Sequence, residues 1–296
     1  HILPKLKEIN TSVFFGFGRE EELAIRGFSD SELENAYAIY GSLYQMRTNY
    51  HEIHRSVLLR LKDPLILKIA STNYLGKPMP IDDNIAYTSN QLFQQMTEDI
   101  TSSYAGNKQR AILKYICQWM LSLFERGTAC DTIYMSQVKV ASEDPILVKL
   151  KELIYGKDGT SIAFGELLNK PERPILRLVD GEKLQFVYER YLEFIMAVEY
   201  YSQRVSDVKQ LTADDVYATT RKAAMTEVML SVLRNVILID YMQTSSTELI
   251  LQLVEKYGDD FTIKSLVHSC MNVLVNEHYE KQLFTVLTHL LERDAG

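Results

Sequence analysis

Cysteine is scarce in this 296-residue chain. Cys117, Cys130 and Cys270 are isolated, odd in number and in no C-x-x-C spacing. A disulfide framework and a thiolate zinc site are therefore not indicated, and a reducing setting, cytoplasmic or nuclear, fits the composition. Cys117 lies in the apolar run Tyr115-Ile116-Cys117-Gln118-Trp119-Met120, where a thiol acts as a small hydrophobe rather than a nucleophile. Positive charge is also short: 32 Lys and Arg against 39 Asp and Glu leave a net charge of -7. That balance argues against wholesale binding of nucleic acid, whose affinity comes from cations displacing counterions at phosphates. Two short basic runs, Lys108-Gln109-Arg110 and Arg221-Lys222, carry too little charge to make a patch and read as solvated helix faces. No uncharged apolar run reaches the roughly 18 to 20 residues of a membrane span, so no membrane insertion is expected. No basic-then-apolar leader opens the chain, and the start at His1-Ile2-Leu3-Pro4 reads as the edge of a fragment of a longer protein.

Chemical signatures are missing as well. His51-Glu52-Ile53-His54 is one residue short of the H-E-x-x-H zinc motif, which needs two imidazoles at i and i+4 on one helical face. Asp82-Asp83, Asp214-Asp215 and Asp259-Asp260 do not extend into the D-D-x-x-D spacing that gathers magnesium diphosphate, and each stands where a helix should start, the place of a capping residue. Gly16-Phe17-Gly18 lacks the Lys and Ser/Thr of a phosphate loop and the third glycine of a dinucleotide fold. The expectation is no catalytic residue, no cofactor and no metal ligand.

What the chain has is amphipathic helix, one after another, within a 46 % hydrophobic and 24 % charged composition that suits a folded core. Ser29-Asp30-Ser31-Glu32 is a capping box, and Leu33, Ala36, Tyr37, Tyr40, Tyr44, Ile53, Val57, Leu58 and Leu61 predict one long helix up to Asp63. A second helix runs to Gly76, and Lys77-Pro78-Met79-Pro80 must be a loop. A polar helix follows over 83–104 with Ile85, Leu92, Phe93, Met96 and Ile100 inward, then a strong one over 108–126 stopped by Gly127. Residues 132–140 alternate like a strand or extended link. Gly159, Gly165, Pro171 and Pro174 mark 157–180 as a loop-rich connection between an N-terminal helical subdomain, 1–156, and a C-terminal one, 181–296. The latter is read as a helix over 182–205, one from the Thr212 cap to Met242, one behind a second capping box at Ser245-Ser246-Thr247-Glu248, and a last pair over 261–275 and 277–292. Strand signals are almost absent, so the fold class is all-α: an irregular α-solenoid or multi-helix bundle of stacked antiparallel helix pairs.

One phrase occurs twice, as Asp63-Pro64-Leu65-Ile66-Leu67-Lys68 and as Asp144-Pro145-Ile146-Leu147-Val148-Lys149, each followed by Tyr and Gly within about two further turns. Asp caps a first turn, Pro gives up an amide that would have been orphaned, and Gly closes the helix. The phrase resembles the helix start typical of HEAT and armadillo-type repeats, and the two copies stand 81 positions apart, near twice the about 40–47-residue period of such repeats. The resemblance implies stacked helix pairs with a long surface for recognition.

Aromatic side chains supply the candidate contacts. Tyr37, Tyr40 and Tyr44 form a stripe at helical spacing, Tyr201 repeats the flavour in the second half, and Phe14, Phe15 and Phe17 crowd an irregular N-terminal arm. Tyrosine joins a broad apolar ring to a polar tip, which suits a half-buried anchor. The function expected is a non-enzymatic protein-interaction scaffold, a subunit of a complex that binds a peptide or helical segment of another protein. The alternatives are an all-α regulatory or catalytic domain such as a GTPase-activating domain, with Arg19, Arg26 or Arg126 acting in trans, or a helical-repeat RNA-binding module.

Overall fold

Thirteen α-helices, one 3-10 turn and three short strands account for the regular structure among the residues described by the computed structural model: 27–79, 89–101, 105–128, 132–140, 143–156, 161–169, 174–206 and 209–275. In chain order they are α1 (Asp30–Leu43), α2 (Arg55–Leu61), α3 (Pro64–Asn73), α4 (Ser89–Thr101), α5 (Gly106–Glu125), β1 (Ile133–Tyr134), α6 (Met135–Lys139), α7 (Pro145–Tyr155) and α8 (Ile162–Asn169). Then come β2 (Leu176–Val179), β3 (Lys183–Phe186), α9 (Glu189–Arg204), α10 (Ala213–Thr220), α11 (Glu227–Thr244), α12 (Glu248–Tyr257) and α13 (Phe261–Val275). The fold is all-α with one small sheet. The arm at Phe14, Phe15 and Phe17, the helix over 277–292, Ile85, Asp82-Asp83 and Cys130 lie outside the described residues.

Both Asp-Pro phrases start helices as their chemistry requires. Asp63 Oδ1 accepts from the amides of Leu65 at 2.9 Å and Ile66 at 3.4 Å, and Asp144 Oδ1 accepts from Ile146 at 2.9 Å. Gly76 and Gly156 then leave their helices with φ of +65° and +56°. The second carboxylate oxygen does something the sequence did not announce: Asp63 Oδ2 pairs with Arg190 of α9, and Asp144 Oδ2 with Arg126, just beyond α5, at 2.8 Å. Asp260 repeats the device, capping α13 through Thr262 and Ile263 while pairing with Arg221. Each cap is also a tie to another part of the chain.

Several expected helices are divided. The first ends at Leu43 rather than near Leu61: Gln45 adopts φ +51°, and the Asn49 side chain accepts from the His51 amide at 3.1 Å to open a 3-10 turn, Tyr50–Glu52. Local side-chain oxygens win there over the apolar stripe. The helix expected to reach Met242 breaks after Thr220, and Thr226 starts α11 by accepting from the Met229 amide at 3.3 Å. Ser245 does not open a capping box. It ends α11 in a left-handed conformation, φ +54°, and Ser246 instead accepts from the Glu248 amide at 3.2 Å.

The stretch 182–205, expected to be helical throughout, begins as strand β3. Asp180 and Gly181 both have positive φ, +55° and +68°, and the Glu182 amide closes the turn on the Val179 carbonyl at 3.1 Å. That geometry folds β2 back onto β3 with the right-handed twist of a hairpin. The sheet order is β1-β3-β2, antiparallel throughout, with Ile133, Leu176, Leu184 and Phe186 buried. Thr132, Gln185 and Arg177 link side chains across it. Segment 132–140 is therefore strand for two residues and then α6, whose first turn is held by the Glu182 carbonyl and carboxylate. The 157–180 segment, expected to be loop-rich, contains α8 and β2.

Helix α9 lies at the centre. It packs against α4, α5 and β3 on the N-terminal side and against α11, its most extensive neighbour, on the other. Tyr191 and Tyr200 of α9 are fully buried, with the Tyr191 ring among Phe93 and Phe186. At its end, Arg204 stacks 3.5 Å over the Tyr200 ring and reaches Glu125 of α5 at 2.7 Å, a carboxylate that also takes Lys222. Contacts of α9 with the fourth and fifth helices before it are those of a bundle, whereas a repeat array touches only its neighbours. The buried apolar residues form one continuous core.

Candidate protein interface

Helix α1 turns two faces to its surroundings because its sequence carries two apolar stripes. Leu33 and Tyr37 face inward and are buried, fixed by a capping box in which the Ser29 amide donates to Glu32 at 2.8 Å. The amide and hydroxyl of Ser29 hold the Glu32 carboxyl below its usual range. Tyr37 donates from its hydroxyl to the Thr48 carbonyl at 3.0 Å, and burial, with Glu52 nearby, pushes its pKa up to about 12. Thr48 is locked in turn to Met79, donating to its carbonyl and accepting from its amide. Tyr37 is thus a buried support.

The second stripe faces out. Ile39 and Leu43, one turn apart, are 65 % and 68 % exposed. Beside them Tyr40 stacks on Tyr44 with ring centroids 5.7 Å apart and planes 24° from parallel, both rings half-buried. The Gly76 amide donates to the Tyr44 carbonyl at 3.1 Å, which brings partly exposed Leu75 to the end of the same helix. His51 and Glu34, 3.7 Å apart, supply an exposed polar margin. Four adjacent apolar or amphipathic side chains thus lie exposed or half-buried on one face of a capped helix, and burying Ile39 and Leu43 would contribute about 1.5–3 kcal/mol each.

Of the seven residues singled out by sequence, the structure joins Tyr40 and Tyr44, places Tyr37 beneath them, and puts Tyr201 in a different seam, where its hydroxyl donates to Asp240 Oδ1 at 3.1 Å. Phe14, Phe15 and Phe17 lie outside the described residues. Exposed Ile39 and Leu43 are not among the seven, although their spacing of four, offset from the Leu33–Tyr37 stripe, was readable as a second face.

No family model, curated protein or solved structure matches this chain. Its chemistry is read from the residues alone. His51 stands in the 3-10 turn, its ring edge against Tyr50, so the two imidazoles do not share an α-helical face. Among the described residues no cluster of three His, Cys, Asp or Glu side chains is placed to hold a metal. The thiols of Cys117 and Cys270 are buried, and burial holds both protonated, Cys270 up to about 12. Arg126 is held by Asp144 and lies 5.6 Å from the Trp119 ring, while Arg19 and Arg26 fall outside the described residues. Asp215 caps α10 reciprocally with Thr212, and Asp214 is bound by Tyr257 and Lys256 of α12. Among the described residues no helix is long and apolar enough to cross a membrane.

Proposed function

We propose that this chain is a non-enzymatic interaction scaffold, a subunit of a larger assembly, which receives a peptide or helical segment of a partner protein on the outer face of α1. The observation that carries this reading is the exposure of Ile39 and Leu43 beside the Tyr40–Tyr44 stack, on a helix whose inner face is fixed by Leu33 and Tyr37. An apolar side chain exposed on a rigid element costs little to order when a partner covers it. Buried, protonated thiols suit work in a reducing cytoplasm or nucleus.

The test is affinity capture with the whole chain, mass spectrometry of what is retained, and reconstitution of each candidate from purified components. The Ile39→Asp/Leu43→Asp variant is expected to weaken a genuine partner by about tenfold or more, as hot-spot truncation does, with circular dichroism unchanged. Equal binding by that variant and by Tyr40→Ala/Tyr44→Ala would move the interface elsewhere.

A further inference from the structure

Glu193, Glu199 and Asp240 are the buried carboxylates among the described residues, each 8 % exposed, and no described lysine, arginine or histidine is buried to the same degree. All three sit on α9 or α11. Glu199 is satisfied by two amide donors, Gln118 at 2.7 Å and Gln203 at 3.0 Å. The other two line the α9–α11 seam itself and are poorly compensated. Glu193 is faced from α11 by Arg234, whose Nη2 stays 3.7 Å away, and by the Ser231 hydroxyl; its own helix adds Glu189 and Arg190. Arg234 Nε is buried without a partner. Asp240 accepts from Tyr201 at 3.1 Å across the seam. These are the charged and titratable groups among the described residues that bear on the two carboxyls.

Ionised, Asp240 has lost its water without gaining a cation and Glu193 has only the arginine at 3.7 Å, whereas a carboxylic acid at either position is neutral and can donate. We propose that the α9–α11 seam is a proton-responsive joint, tight when Glu193 and Asp240 carry protons and looser when both are ionised. Burial raises both carboxyls above their ordinary range, and it outweighs Arg234 at Glu193 and the Tyr201 hydrogen bond at Asp240. With the folded value above the unfolded one, folding takes up protons, so stability falls as pH rises from the ordinary carboxylate range through the raised value. Each carboxyl changes the opening equilibrium by at most about tenfold per pH unit. Because α9 carries α4, α5 and β3 on one side and α11 on the other, the joint governs how firmly the two sides of the molecule hold together. Protons are thereby a ligand of the scaffold.

Hydrogen exchange of the whole chain tests this, with amide protection in α9 and α11 normalised for intrinsic rate and to α1, between about pH 7 and about pH 4.5, down to the ordinary carboxylate range. Protection in the wild type is expected to rise several-fold on acidification. Asp240→Asn, which keeps an acceptor for Tyr201, is expected to be better protected at pH about 7 and to respond less, and Glu193→Gln/Asp240→Asn to lose the response. A wild-type ratio that does not change with pH, or the same response in Asp240→Asn, would overturn the proposal. That single variant decides the matter even if Glu193→Gln, which leaves Arg234 without its carboxylate, fails to fold.

Discussion

Aspartate ties several of the described helix starts to other parts of the chain, and its environment decides the sign of its contribution. Asp63, Asp144 and Asp260 each give one oxygen to a helix start and the other to an arginine. At Asp144 burial pulls the pKa up, but the Arg126 guanidinium and the amides of Ile146 and Leu147 pull harder, leaving it below the ordinary value. A depressed folded value means stability that is complete above the unfolded pKa of about 3.9 and is lost as pH falls through the folded one. Asp144→Asn, which keeps the cap and drops the partly exposed pair, is expected to cost about 0.2–1 kcal/mol at neutral pH and to flatten the acid limb of urea denaturation below about pH 4. An unchanged acid limb would show that the pair contributes nothing. Asp240 is the opposite case, buried opposite a hydroxyl rather than a cation, and so raised. Residue type was visible in the sequence; which aspartate had a cation was not, because Arg190 lies 127 positions from Asp63.

Among elements, starts were more legible than lengths. Ser29, Asp63, Asp144 and Thr212 open helices where a side-chain oxygen and a following apolar stripe require it. Breaks without glycine or proline, at Tyr44 and Arg221, escaped because Asn49 and Thr226 act as caps only once tertiary packing lets the preceding helix stop. The hairpin was readable: Asp180-Gly181 sits between the alternating apolar positions Leu176, Leu178, Leu184 and Phe186, the turn dipeptide that positive φ at two residues demands. The outer stripe of α1 was readable too, whereas its exposure depends on what the rest of the chain leaves uncovered. Two glycines separate backbone geometry from space, since a Cβ at either meets nothing within 4 Å. Gly181→Ala, at φ +68°, is expected to destabilise by about 1–2 kcal/mol. Gly165→Ala, inside α8 with ordinary φ, is expected to stabilise by about 0.5–1 kcal/mol. Equal shifts of the urea midpoint for both variants would contradict the turn assignment.

At the scale of the whole molecule, α9 makes one core out of what reads in sequence as a succession of helix pairs. The two Asp-Pro helices share a start but not a setting: α3 packs among α1, α2 and α4, while α7 packs among α5, α6 and α8. What resembles a repeat is thus a local helix-opening device used in two environments. Among the described residues both thiols are buried and several charged side chains are paired internally, so the recognition proposed for this chain rests on the outer surface of α1. The most direct test is a hydrogen-exchange footprint of the whole chain with and without a reconstituted partner. The α1 reading predicts protection concentrated in 30–44 and 74–79, diminished in Ile39→Asp/Leu43→Asp. Protection confined to α12 and α13, with α1 unchanged, would contradict it.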